Sequence, residues 1–99
     1  METLEKVKKA QKIDLISGCY TASEASHIIN AVLNVKINFH KLHRLSIKEG
    51  NEADACEFDS GRIEELINEQ DIAKQFFSQA RLEGKKLKMK SIIHIEIEN

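Results

Sequence analysis

The chain predicts an α+β fold: an antiparallel two-stranded ribbon packed on a long antiparallel helical hairpin, in the order β-α-α-β. Three observations carry this expectation. One helical pattern runs from Thr21 to about Lys48, a second from Ser60 to Glu83, and the tail from Leu87 to Asn99 alternates residue by residue. Apolar side chains recurring at about 100° per residue mark a helix, and a period of two marks a strand. The 99 residues read as one domain, with a long helix over 21–48, an acidic loop over 49–58, a second helix over 60–83 and a terminal strand over 86–98.

The opening residues 1–11 carry Lys6, Lys8 and Lys9 and fit a strand, a short helix or no fixed structure. Ile13-Asp14-Leu15-Ile16 is the firm part of the first strand, closed by Ser17-Gly18. Thr21-Ala22-Ser23-Glu24 then reads as a capping box, in which the Thr21 hydroxyl accepts from the Glu24 backbone N–H and the Glu24 carboxylate reaches back. Along the first helix, Ala25, Ile28, Ile29, Val32, Leu33, Val35 and Phe39 fall on one broad arc. Asn30, Asn34, Asn38, Lys41, Arg44 and Lys48 fall on the other side, and Gly50 is the first credible stop.

Lys36, His40 and His43 interrupt the apolar arc near its middle. A charge placed there costs several kcal/mol unless it is paired or reaches water. The expectation is that both histidines are hydrogen-bonded core residues and that the Lys36 ammonium snorkels to an edge.

The loop that follows carries Glu49, Glu52, Asp54 and Glu57, and reads as acidic, mobile and solvent-exposed. It fails as a calcium loop, because Cys56 and Phe58 fall where oxygen ligands are required. Asp59 or Ser60 can cap the second helix, whose stripe of Ile63, Leu66, Ile67, Ala73, Phe77 and Ala80, widened by Ile72 and Phe76, is interrupted by Gln70 and stopped by Gly84. In the terminal strand, Leu87, Met89, Ile93, Ile95 and Ile97 point one way, with Lys86, Lys88, Lys90, His94, Glu96 and Glu98 on the other.

Short connections make sequence neighbours antiparallel and bring the two strands side by side, with Lys6 and Lys8 near Glu96 and Glu98. A two-stranded ribbon leaves two open edges, so homodimerisation is expected, by edge pairing or by helix packing. Folding the helices together near Ala53 sets Lys36 level with Gln70 and His40 and His43 near Ile63 to Ile67, which predicts a polar layer of Lys36, His40, His43 and Gln70 in the core or an interface.

Composition removes several function classes. A net charge of −1 gives no global pull toward nucleic acid or anionic membranes, and five aromatic residues without Trp leave little surface for stacking bases. No apolar run suits a membrane span, and the start lacks the basic and apolar regions of a signal peptide, so no membrane partner is expected. Two cysteines make no disulfide framework, which points to reduced thiols in the cytoplasm. No catalytic motif and no cofactor motif is present. Cys19, just before a helix, is the better thiol nucleophile on paper, whereas the acidic loop around Cys56 would raise its pKa. His40 and His43 at i, i+3 supply two metal ligands but no third with motif spacing.

The segment Lys36-Ile37-Asn38-Phe39-His40-Lys41-Leu42, preceded by Gly18-Cys19-Tyr20-Thr21-Ala22-Ser23-Glu24-Ala25, resembles a set of small bacterial proteins of uncharacterised function, loosely over residues 13–98. Members tend to have proline where this chain has Ala22. The resemblance implies that the segment around His40 matters to that family, and it brings no activity with it.

The leading expectation is a non-enzymatic interaction protein acting through self-association or a protein partner. The alternatives are a nucleic-acid-associated regulator using a lysine-rich ribbon face of Lys6, Lys8, Lys86, Lys88 and Lys90, and metal or small-ligand binding near His40 and His43.

Overall fold

A computed structural model describes residues 9–98 as four elements, β1 Ala10–Thr21, α1 Ala22–Gly50, α2 Glu57–Leu82 and β2 Lys86–Glu96. The fold is α+β. Two compact units are distinguished: Tyr20–Leu87, which holds both helices, and a ribbon unit formed by the chain up to Cys19 together with Lys88 onward.

In the ribbon unit β1 and β2 form an antiparallel two-stranded sheet, whose far end is marked by the Ile97 N–H donating to the Lys9 carbonyl at 2.9 Å. β1 does not stop at Ser17-Gly18 but continues to Thr21 and passes directly into α1. Cys19 is therefore an exposed strand residue rather than part of a turn. The expected pairing of Lys6 and Lys8 with Glu96 and Glu98 lies outside the described residues.

The helices begin and end where side-chain chemistry satisfies their loose backbone groups. At the start of α1 the Glu24 N–H donates to Thr21 Oγ1 at 3.1 Å and the Thr21 N–H donates to Glu24 Oε1 at 2.9 Å, a complete capping box. α2 ends in a Schellman turn: Lys85 N–H bonds to Ala80 O, and Gly84 N–H to Arg81 O, with Gly84 at φ +65°. A side chain there would meet no atom but would be strained by the backbone alone.

Side-chain bonds tie α1 to α2 along their length, among them Arg81 Nε to Ser23 Oγ at 3.3 Å, Gln70 Nε2 to Asn34 Oδ1 at 2.8 Å, and Arg44 Nη1 to Ser60 Oγ at 3.1 Å. Each step forward on α1 is matched by an equal step back on α2, so the antiparallel register never slips. Between them Ile37, Ile63 and Leu66 form the buried core, with Leu33 packed against it.

This corrects the orientation of α1. Asn34 and Arg44, expected on its outer side, bond to α2, and the inward face centres on Ile37. Val35 and Phe39, expected inward, are each more than half exposed, as is Leu42. The apolar arc is wide enough to hold two faces, and the polar groups on α2 select which of them it meets.

Truncating the core and truncating the surface should separate cleanly in urea unfolding. Ile37→Ala is expected to cost about 2–4 kcal/mol. Leu82→Ala, on the outer surface of α2, should stay within about 0.5 kcal/mol of wild type.

Candidate functional site

The turn end of the hairpin is built around one carboxylate. α1 presents His40 and His43 one turn apart, and the first turn of α2 presents Asp59 to both. His40 Nδ1 donates to Asp59 Oδ1 at 2.9 Å and His43 Nδ1 donates to Asp59 Oδ2 at 2.8 Å. A carboxylate only accepts, so both imidazoles carry hydrogen on Nδ1. His40 and Asp59 are each 2% exposed, whereas the His43 side chain is half exposed.

The bond from His40 is the main reason the Asp59 carboxyl is held below its ordinary value of 3.8; burial opposes it, and the bond from His43 adds to the lowering. Asp59 is thus the buried anion that both rings satisfy.

The rest of the cluster is aromatic. The His40 ring meets Phe39 and Phe58 edge-on, with centroids 5.1 and 6.0 Å away, while His43 stacks on Phe39 at 5.8 Å and 6°. Among the described residues buried His40 Nε2 has no hydrogen-bond partner, which carries a penalty of about 1–3 kcal/mol. Two bonds to one buried carboxylate are made at the expense of that atom.

The loop joining the helices exposes its acidic residues Glu49, Glu52, Asp54 and Glu57, as expected, but buries Cys56 and is tied by its own side chains. Asn51 Oδ1 accepts from the Ala53 N–H at 3.1 Å, and Asp54 Oδ1 from the Cys56 N–H at 2.8 Å. Cys56 is buried in a left-handed conformation, φ 52°, and starts α2 without a side-chain cap. Burial first, and then the Asp54 carboxylate, push its thiol above the ordinary 9.0. Neither Asp59 nor Ser60 caps the helix: one is taken by the histidines, the other by Arg44.

Of the expected polar layer, the structure brings His40 inward and sets Gln70, half-buried, against Asn34 rather than Lys36. Lys36 is exposed, with its ammonium 5.0 Å from the Phe39 ring centre. Lying about 100° around the helix from Ile37, it keeps its hydration at the edge of the core. His43 lies at the same edge. Asp59, the partner of both histidines, was not expected here. Its signal is the 4-3 spacing of α2's inward residues, since stepping back from Phe77, Ala73, Gln70, Leu66 and Ile63 lands on Asp59.

What this arrangement can do follows from ring geometry. With both Nδ1 atoms converging on Asp59, the Nε2 atoms lie on the far sides of the rings and do not share a ligand position. Among the described residues no group of three or more His, Cys, Asp or Glu side chains is placed to hold a metal ion. Also among them, no helix is long and apolar enough to cross a membrane.

Lys86, Lys88 and Lys90 are exposed along β2, and Lys9 and Lys12 are exposed near the start of β1. The remaining members of the proposed basic face, Lys6 and Lys8, lie outside the described residues.

Comparison with protein-family models, curated proteins and solved structures finds no match.

The depressed Asp59 carboxyl makes a signed prediction. Its folded-state pKa lies below the ordinary 3.8, so its contribution is fully present above that value and is lost as pH falls through the folded value. Asp59→Asn should lower the melting temperature at neutral pH, and the gap to wild type should narrow as the pH is taken below about 4 in thermal unfolding followed by circular dichroism.

Proposed function

We propose that the protein is a cytoplasmic, non-enzymatic interaction protein that works by self-association through the apolar residues left exposed on its helical hairpin. The observation that carries this reading is the exposure of Val35, Phe39 and Leu42 on α1 and of Phe58, Ile72 and Phe76 on α2, each more than half exposed. Monomeric proteins rarely leave so many large apolar side chains open on neighbouring elements.

Their placement is systematic. On α1, Ile28, Val32, Val35, Phe39 and Leu42 repeat at alternating steps of four and three, the spacing of a helix-packing seam. That stripe averages about 180° around α1 from Ile37, on the back of the helix, and the Phe58, Ile72 and Phe76 stripe lies about 100° around α2 from its own inward face. His40, His43 and Asp59 support a non-enzymatic reading, being committed to joining the helices. Cys19 and Cys56 are free thiols, as suits a reducing compartment.

Sedimentation of the full chain tests this directly. The wild type is expected above monomer mass, and Val32→Glu combined with Ile72→Glu should weaken association by at least about tenfold, with an unchanged helical spectrum. A wild type that sediments as a monomer at all concentrations overturns the reading.

Lys86, Lys88 and Lys90, exposed at alternate positions of β2, support a second reading, contact with nucleic-acid phosphates. It expects retention on DNA that falls steeply with salt and is lost in Lys88→Glu. Asp14 and Glu96 on the same ribbon dilute that field.

A further inference from the structure

We infer that the outer edge of β2 is a self-contact: β2 pairs antiparallel with β2 of a second copy about a two-fold axis at Ile92, joining two ribbons into one four-stranded sheet. The inference adds a second surface to the self-association reading, and either contact can fail while the other stands.

The edge is open. β2 has β1 on one side, and among the described residues no third strand lies on the other. A two-stranded ribbon is marginal in water and gains from further strands that share an apolar face. On this ribbon Ile13, Leu15, Ile93 and Ile95 remain 36–47% exposed.

Charge selects the occupant. Edge lysines ordinarily keep strands apart. β2 carries three, Lys86, Lys88 and Lys90, all exposed at alternate positions. Its other half carries Glu96, with Glu98 just beyond, in the same alternation and so on the same face. A strand that pairs with this edge must bring carboxylates two residues apart to meet the lysines. An antiparallel copy of β2 does so.

Symmetry then fixes the register. A two-fold pairing of a strand with itself must centre on a residue. Opposed pairs alternate between hydrogen-bonded and non-hydrogen-bonded, and an axis between residues would make the two kinds equivalent. With the axis at Ile92, Lys88 opposes Glu96 of the other copy, Lys86 opposes Glu98 and Lys90 opposes His94. On the other face Leu87 opposes Ile97 and Met89 opposes Ile95, which leaves Ser91 against Ile93 as the one mismatch. Moving the axis to Ser91 leaves only Lys86 with a carboxylate. Moving it to Ile93 takes the partner from Lys86 and sets Ile92 against His94. Opposite charges directly across an antiparallel pair stabilise it, and like charges weaken it. The free edge of β1 has no comparable pattern, since Lys12 and Asp14 are its only charged residues.

The test makes Ile92→Cys and Ile93→Cys, each in the full chain with Cys19→Ser, and exposes them to a mild oxidant while sedimentation follows mass. The expected result is a disulfide-linked dimer from Ile92→Cys and little from Ile93→Cys, whose thiols would stand on residues about 8–9 Å apart, too far for a disulfide. Lys88→Glu should slow the linking of Ile92→Cys about threefold or more, and Glu96→Lys added to it should restore the rate. Linking of Ile93→Cys as fast as that of Ile92→Cys overturns the axis at Ile92. Absence of linking in both, with the wild type above monomer mass, overturns the ribbon contact and leaves the hairpin contact standing. Monomers throughout overturn both.

Discussion

The Asp59 carboxylate, buried and accepting from two imidazoles of the facing helix, is the constraint on which the rest of the hairpin depends. A carboxylate removed from water is tolerated only when its acceptor sites are filled, and here one ring fills each oxygen. Because His40 and His43 are one turn apart on α1, satisfying both oxygens fixes the rotation of that helix as well as its level. A single ion pair would fix only the level.

That rotation determines what is left outside. Turning His40 and Ile37 toward α2 sends Val35, Phe39 and Leu42 outward, since a helix cannot present both arcs to one neighbour. The polar clasp and the exposed apolar stripe are thus two results of one choice of face. His43, satisfied through Nδ1 and stacked on Phe39, sits where the two faces meet. The unpartnered His40 Nε2 shows that the site favours orientation over full satisfaction of its polar atoms.

What was legible in the sequence was whatever depends on neighbours along the chain. The Thr21–Glu24 capping box, the Gly84 stop and the alternation from Leu87 to Ser91 involve residues a few positions apart and appear where local chemistry places them, whereas Ile93, Ile95 and Ile97, expected on the inward face of the strand, are exposed. Part of the inward stripe of α2 was also readable, in Ile63, Leu66, Phe77 and Ala80, whereas Ile67, Ile72 and Phe76, expected on the same arc, are exposed. The rotation of α1 was not. Its apolar residues span more than half its circumference, and the choice among them is made by Asp59, Ser60 and Gln70 on another helix. Counting apolar neighbours set Lys36 near the middle of the arc, and its long stem carries the ammonium to water, as the snorkelling reading expects. Asp59 was hidden by its position, since a carboxylate near a helix start has an obvious local use as a cap, and only its spacing to Ile63 and Leu66 betrays another one.

The central claim is that one carboxylate holds both rings, and imidazole nitrogen NMR reads it most directly. Two Nδ1–H resonances, assigned to His40 and His43 and each coupled through a hydrogen bond to the Asp59 carboxylate, are the predicted result, and both should vanish or shift in Asp59→Asn. Rings that carry their hydrogen on Nε2 would contradict the account, as would a spectrum in which only one of the two responds to the loss of Asp59.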